Sequence, residues 1–200
     1  MGNMLKELID EYIKDKSTII TAKANGGTTS LCLFIANTLL NDNNVILYFN
    51  PQDNIEKTFV YKFYPRVYSD VIFSACSVTE LLYFLQYLNF KVDYLILDPG
   101  DCLMYNSKLL PMLKSTIKGN IICTSQIRTD LSQGGRVYST IEKKYMPTKL
   151  FDSSLWIRSV TEPSSMFIKK YIDVFNTVRS GNNFIARYIA NFTKEGNIVA

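Results

Sequence analysis

Residues 22–29 read Ala22-Lys23-Ala24-Asn25-Gly26-Gly27-Thr28-Thr29 and lie between an apolar segment typical of a strand and one typical of a helix. The spacing is that of a phosphate-binding loop, whose pattern is Gly, four residues, Gly-Lys-Ser/Thr. Ala22 replaces the first glycine and Thr28 replaces the lysine. In such loops the lysine contacts the β- and γ-phosphates, and the following hydroxyl holds magnesium. The stretch therefore predicts the frame of a nucleotide site that lacks its main cation.

Segments of strand type and helix type alternate around this loop as far as residue 124. Apolar residues at helical spacing predict a first helix over 4–15, and Ser77 with Glu80 predicts a capped helix. Further helices are predicted after the loop, over 53–63 with an end at Pro65, and over 106–117. Strands are predicted at Ser17–Thr21, Val45–Phe49, Val71–Ser74, Val92–Leu97, Asn120–Thr124, Ser154–Val160, Met166–Thr177 and Phe184–Phe192, with a turn at 179–182 between the last two.

These patterns predict an α/β fold. The strands up to residue 124 lack period-two alternation, which favours a mostly parallel central sheet with helices on both faces. The strands after Trp156 favour an antiparallel C-terminal extension of that sheet. We divide the chain into a helical segment, 1–16, and a core, 17–200. The first helix either docks on a neighbouring subunit or covers its own sheet.

Composition narrows the function classes. The chain has 200 residues, 47% hydrophobic content, a net charge of +4 and no histidine, so histidine-based metal sites and catalysis are excluded. The four cysteines are widely spaced beside apolar residues, which favours buried thiols in a reducing compartment. Neither a membrane-spanning run nor a signal peptide is predicted, so we expect a cytoplasmic protein.

Polar residues follow several strands, at the sheet edge where open α/β folds bind ligands. Asp98 ends an apolar strand, as a magnesium-binding carboxylate would, although many buried strands end in Asp. Gln52 and Asp53 follow the strand Val45–Phe49. Gln126 is placed to sense a γ-phosphate, or it begins a polar loop.

The segment 126–150 is basic and irregular. Its five basic residues and two acidic residues give +3 of the chain's +4, and tyrosines accompany them. Such a segment either tracks a phosphate backbone and stacks bases or is an ordinary solvated loop. The basic residues are Arg128, Arg136, Lys143, Lys144 and Lys149.

The order of these segments resembles the RecA-like ATPase core of bacterial RecA, phage recombinases and DnaB-type replicative helicases, over residues 14–199. The resemblance is carried by Ile19–Leu31, Val45–Asp53, Val71–Leu88, Asp93–Asp98, Ile121–Arg128, 129–146, Met146–Ser159 and Thr177–Gly181.

The resemblance implies a role for each matched residue. It implies magnesium binding by Thr29 and Asp98, and a cation, Arg179, that reaches a neighbouring subunit's nucleotide. Gln52 falls at or beside the catalytic glutamate, and the basic residues of 126–150 match the mobile DNA-binding loop. The implied nucleotide-binding residues are Lys23, Asn25, Gly26, Gly27, Thr28, Thr29, Asp98 and Gln126.

Three departures bear on activity. Thr28 replaces the loop lysine, Gln52 cannot accept a proton from water as a carboxylate does, and Thr177 replaces a lysine that acts across subunits. We therefore expect a DNA recombination or replication factor with a degenerate loop and weak or absent hydrolysis of magnesium-bound ATP. Its partners would be single-stranded DNA and a homo-oligomer or a RecA-like paralogue.

Two other functions stay open. The first is an atypical working DNA-dependent ATPase, in which Lys23 and Arg179 supply charge in trans and Asp53 orients water. Lys23 is otherwise a surface lysine of the loop. The second is a structural interaction protein that has kept the fold and binds neither ligand.

Overall fold

A computed structural model describes residues 2–53, 55–74, 76–100, 108–126, 128–130, 138–140, 150–159, 167–178 and 181–199. Helices within these ranges are α1 Gly2–Tyr12, α2 Thr28–Leu40, α3 Lys57–Phe63, α4 Pro65–Asp70, α5 Val78–Tyr87 and α6 Leu109–Ile117. The strands are β1 Thr18–Ala22, β2 Ile46–Phe49, β3 Ile72–Ser74, β4 Tyr94–Leu97, β5 Asn120–Gln126, β6 Arg128–Asp130, β7 Tyr138–Thr140, β8 Ser153–Ser159, β9 Ile168–Val178, β10 Gly181–Phe192 and β11 Ile198–Val199.

A nine-stranded sheet in the order β11-β10-β9-β8-β1-β5-β4-β2-β3 organises the described part of the chain. Along this order, each neighbouring pair between β8 and β3 is parallel. The pairs that add β9, β10 and β11 beyond β8 are antiparallel. The predicted mostly parallel sheet with an antiparallel C-terminal extension is confirmed. A separate antiparallel pair, β6 and β7, lies within the basic segment.

Apolar clusters cover both faces of the sheet, as the unalternated strands predict. Ile20 and Tyr48 face a cluster that includes α1 and α2, whereas Ile19 and Leu47 face the cluster beneath α5 and α6. All four side chains are at most 1% exposed. Each buried side chain of this size contributes roughly 1.5–3 kcal/mol to folding, so covering both faces is the main source of stability.

Helix α1 covers its own sheet, which was one of the two placements that the sequence left open. Leu5, Leu8, Ile9 and Ile13 are 0–2% exposed, and the Tyr12 ring meets that of Tyr188 edge-on at a centroid distance of 6.2 Å. The apolar face proposed as a subunit contact is therefore buried within the chain.

Local sequence signals predicted one helix start correctly and another helix boundary incorrectly. Ser77 and Glu80 form the predicted capping box. Pro65 was predicted to end a helical segment, but it begins the separate helix α4. Proline is well suited to the first turn, because the N–H that it lacks would have no partner there. None of the described helices is both long and apolar enough to cross a bilayer.

Candidate functional site

The glycine loop joins β1 to α2 through a backbone that suits few residue types. Asn25 has φ 58° and Gly27 has φ 95°, both in the left-handed region that glycine and asparagine adopt most readily. The N–H of Gly26 donates to the carbonyl of Lys23 at 2.8 Å. A Cβ at Gly26 would lie 2.7 Å from that carbonyl oxygen and would also overlap Ala22. The turn therefore requires its glycine pair, although Ala22 occupies the position of the first loop glycine.

Helix α2 begins at this loop without a capping side chain. Its N-cap is Gly27, and no side chain accepts a hydrogen bond there. The first N–H groups of a helix have no intrahelical partner and carry partial positive charge. Such an end, following a glycine turn, is suited to an anion such as phosphate.

A cavity of about 400 Å³ lies over the loop and the start of α2. Its volume is within the range of small-molecule sites. Three lysines line it, and none of its lining residues within the described part of the chain is acidic. The lining residues are Lys23, Asn25, Gly26, Gly27, Thr28, Thr29, Ser30, Gln126, Ile168, Lys170, Phe192, Thr193, Lys194 and Gly196.

Gln126 reaches this cavity through strand register. In the parallel pair of β1 and β5, Ala22 stands opposite Gln126, so the last residue of β5 lies beside the first residue of the loop. Gln126 is exposed there. Lys23 is exposed at the cavity wall. The structure thus brings Gln126 to the glycine loop, as the resemblance implied.

Asp98 lies in a different environment from the one expected. It is 3% exposed, and its two carboxylate oxygens accept hydrogen bonds from the Tyr48 hydroxyl at 2.7 Å and the Thr124 hydroxyl at 2.8 Å. Burial and the neighbouring Asp98 charge raise the pKa of Tyr48 well above its usual range, which keeps that donor protonated. Burial likewise raises the pKa of Cys32.

The magnesium site that the resemblance implies for Thr29 and Asp98 stays a prediction. Thr29 lines the cavity over the glycine loop, whereas Asp98 does not. Each Asp98 oxygen accepts one hydrogen bond from a buried hydroxyl, which leaves a second lone pair on each oxygen. Within the described ranges, no group of three or more His, Cys, Asp or Glu side chains could hold a metal ion.

The residues after β2 lie apart from the glycine loop. Gln52 and Asp53 are exposed, and neither lines the loop cavity. Asp53 has φ 45° and instead borders a second cavity of about 440 Å³ with Asn50, Lys57 and Phe73. Of the strand-end residues Gln52, Asp98 and Gln126, the loop cavity is lined by Gln126 alone within the described chain.

Several candidate residues lie outside the described ranges. They are Arg136, Lys143, Lys144 and Lys149 of the basic segment and Arg179 of the C-terminal turn. Arg128 begins β6, where it stands opposite Thr140 of β7. The proposed DNA contacts and the trans arginine therefore stay predictions.

Lys170 is a cavity residue that the sequence reasoning missed. Its ammonium donates to the Gly26 carbonyl at 2.7 Å and lies 4.4 Å from the centroid of the Phe192 ring. Burial lowers its pKa. One signal was present: Lys170 shares the alternation of Ile172 and Val174, so it places a charge on the same face of β9 as these two apolar residues.

Comparison with known proteins identifies the fold. No family model and no curated sequence matches the chain. Its structure is similar to RadB recombinase, with a TM-score of 0.68 and 12% identity over 96% of this chain and 94% of that one. It is also similar to a solved ATPase domain, with a TM-score of 0.65 and 14% identity over 98% of this chain and 89% of that domain.

A third similar structure is that of a DnaB-like replicative helicase, described with its interactions with primase. The TM-score is 0.64 at 13% identity, over 97% of this chain and 61% of the helicase chain. Together with the sheet order, these matches show that the chain has the RecA-like fold. At such low identity the likeness concerns the fold alone.

Proposed function

We propose that this chain is a RecA-fold factor of DNA recombination or replication that binds nucleotide at its glycine loop and hydrolyses ATP weakly or not at all. The observation that carries the proposal is the contrast between the ends of two strands, β1 and β4, that flank β5 in the sheet. After β1, the loop and the uncapped α2 form a cation-lined cavity suited to phosphate. After β4, the Asp98 carboxylate is buried and bound to two hydroxyls.

The chemistry of hydrolysis explains the weak activity that we propose. Thr28 brings no charge to the transferring phosphoryl group, and Gln52 offers no carboxylate to accept a proton from water. Removing one electrostatic contact to a transition state typically lowers the rate by about a hundredfold to a thousandfold. Loss of the catalytic carboxylate at Gln52 is therefore enough to leave nucleotide binding without efficient turnover, even where another cation contacts the phosphates.

The proposed DNA partner and the proposed oligomer are supported by other observations than those at the nucleotide site. The basic segment 126–150 carries a charge of +3, from five basic and two acidic residues, and it begins at Gln126. The names of the similar structures, a recombinase and a replicative helicase, agree with a nucleic-acid role. We propose that this segment binds single-stranded DNA and that the chain acts as a homo-oligomer or beside a RecA-like paralogue.

Two measurements test this function. Titration with a fluorescent ATP analogue should show saturable binding that is lost in Gly26→Ala, because the added Cβ overlaps Ala22 and crowds the Lys23 carbonyl. Circular dichroism of that variant should confirm that the fold is retained. Phosphate release should stay near background with and without oligo-dT. Release stimulated by DNA to the rates of motor ATPases would refute the proposed weak hydrolysis.

A working ATPase of unusual chemistry is the second candidate. The exposure of Lys23 at the wall of the loop cavity favours it, since a neighbouring subunit's nucleotide could be reached from there. If this candidate is correct, Lys23→Ala abolishes a turnover that the unmodified chain shows. Anisotropy with oligo-dT at low and physiological salt separates both candidates from a purely structural protein, which would show no salt-dependent affinity.

A further inference from the structure

Lys170 is a buried cation at the end of an apolar strand face. Side chains alternate along a strand, so Lys170 shares one face of β9 with Ile172 and Val174. Those two residues are fully buried in the core cluster beneath α1 and α2, and Lys170 is itself 7% exposed. The strand thus extends its core-facing side to the start of α2 and places a lysine there.

The ammonium group lies against the glycine pair of the loop. Its Nζ donates to the Gly26 carbonyl at 2.7 Å, and a Cβ added at Gly27 would lie only 2.9 Å from that nitrogen. Phe192, which is 1% exposed, packs against the same ammonium, with 4.4 Å between Nζ and the ring centroid. The position of the charge is therefore fixed by β9, β10 and the loop together.

The charge of Lys170 has no carboxylate partner among the residues that the structure describes. Lysine is rarely buried unless it is paired, because an ammonium loses much hydration energy in the interior. One carbonyl and one aromatic ring offset that loss only in part, and burial lowers the pKa of the group accordingly. An ammonium has three donors, so its hydrogen bond to Gly26 leaves capacity for an anion.

We infer that Lys170 is the phosphate-binding cation of the glycine-loop cavity, in the role that a lysine at position 28 has in phosphate-binding loops. The inference deepens the proposed function and rests on it. The ligand class is a polyphosphate chain, either that of a nucleoside di- or triphosphate or an inorganic one. Lys170 reaches the loop from β9, whereas the usual lysine belongs to the helix that follows the loop.

The rest of the cavity agrees with this ligand class. Lys23 and Lys194 add two further cations to the wall, and the uncapped start of α2 points its amide groups toward the same space. Because the described lining contains no acidic residue, a polyphosphate would meet attraction from every charged residue that lines the cavity. The aromatic ring of Phe192 and the Gly26 carbonyl hold the Lys170 ammonium in place before the ligand binds.

The test compares Lys170→Met with Lys169→Met, a neighbour on the opposite face of the same strand. Affinities for ATP, ADP and inorganic tripolyphosphate are measured by isothermal titration calorimetry at low salt. We expect Lys170→Met to weaken polyphosphate binding at least about tenfold, the effect of losing one hydrogen bond to a charged group. Lys169→Met should stay within about twofold. The nucleotide and inorganic arms show which source of polyphosphate the site prefers.

Two further readouts separate a binding role from a structural one. The urea midpoint of Lys170→Met should equal or exceed that of the unmodified chain, because an unpaired buried charge is removed. Adding Thr28→Lys to Lys170→Met should restore affinity, since it returns a lysine to the usual position. If the methionine variant fails to fold, Lys170→Gln keeps a donor for Gly26 and still removes the charge.

The outcomes distinguish the two proposals. If the unmodified chain binds these ligands and neither Lys170→Met nor Lys170→Gln weakens binding, the inference is overturned while the nucleotide site stands. If the unmodified chain binds none of them, the nucleotide site and the inference both fail. Loss of affinity with retained stability and rescue by Thr28→Lys supports the inference.

Discussion

Replacing Asp98 distinguishes a structural carboxylate from a magnesium ligand. Asp98→Ala removes the acceptor of the Tyr48 and Thr124 hydroxyls, which are 0% and 2% exposed as residues. A buried hydroxyl left without a partner costs about 1–3 kcal/mol. Two of them give about 2–6 kcal/mol, a large part of the roughly 5–15 kcal/mol that stabilises an ordinary domain. Part of this loss is offset because the variant no longer buries a carboxylate.

We therefore expect Asp98→Ala to lower the free energy of unfolding by about 2–5 kcal/mol. Asp98→Asn, which keeps one acceptor oxygen, should cost less. Urea unfolding followed by the fluorescence of Trp156, the single tryptophan of the chain, measures both. A double-mutant cycle with Tyr48→Phe should give a coupling energy of about 1.5–3 kcal/mol, as expected for a hydrogen bond to a charged group.

Nucleotide affinity with and without magnesium provides the contrasting readout. If Asp98 acts through its hydroxyl partners alone, Asp98→Asn leaves the affinity of the folded protein within about twofold at either condition. The reasoning is refuted if Asp98→Asn is as stable as the unmodified chain and selectively loses magnesium-dependent affinity. That result would mean that the carboxylate turns toward the loop when nucleotide binds.

Two other expectations concern the core. Gly100→Ala should lower the free energy of unfolding by about 3 kcal/mol in urea, because its Cβ would lie 2.6 Å from the Thr124 carbonyl and overlap the Cys123 sulfur. Adding Cys123→Ala should recover part of the loss, and an unchanged midpoint in the single variant would contradict the packing described. Burial raises the pKa of Tyr64 to about 12, so the unfolded state, with a pKa of about 10, loses this proton first as pH rises. The free energy of unfolding should therefore fall between pH 9 and pH 11, and the fall should be about 1.4 kcal/mol smaller in Tyr64→Phe than in the unmodified chain. Equal falls in the two proteins would show that Tyr64 is not protected by burial.

Features fixed by neighbours in the chain could be predicted well from the sequence. The capping box of Ser77 and Glu80 needs only residues three apart, and the fully apolar strands indicate a sheet covered on both faces. The order of segments then indicated the fold. The helix start at Pro65 was missed because proline serves equally well to end one segment and to begin another.

The side-chain partners of the site could not be predicted in the same way. Asp98 was correctly placed at the end of a strand, but its hydroxyl partners lie 50 and 26 residues away and reach it only through sheet register. Lys170 lies 144 residues from the carbonyl that it contacts. Alternation along β9 was visible in the sequence and shows which residues share a face of the strand. It does not show that Lys170 lies beside the glycine loop.

The long separation between Gly26 and Lys170 has a consequence for the protein during its synthesis. The glycine loop leaves the ribosome well before β9, and β9 joins the sheet through β8, which pairs with β1. A nascent chain that has completed only its parallel strands would hold the loop without this cation. If Lys170 binds phosphate as inferred, a product that ends before β9 should bind polyphosphate more weakly than the finished protein.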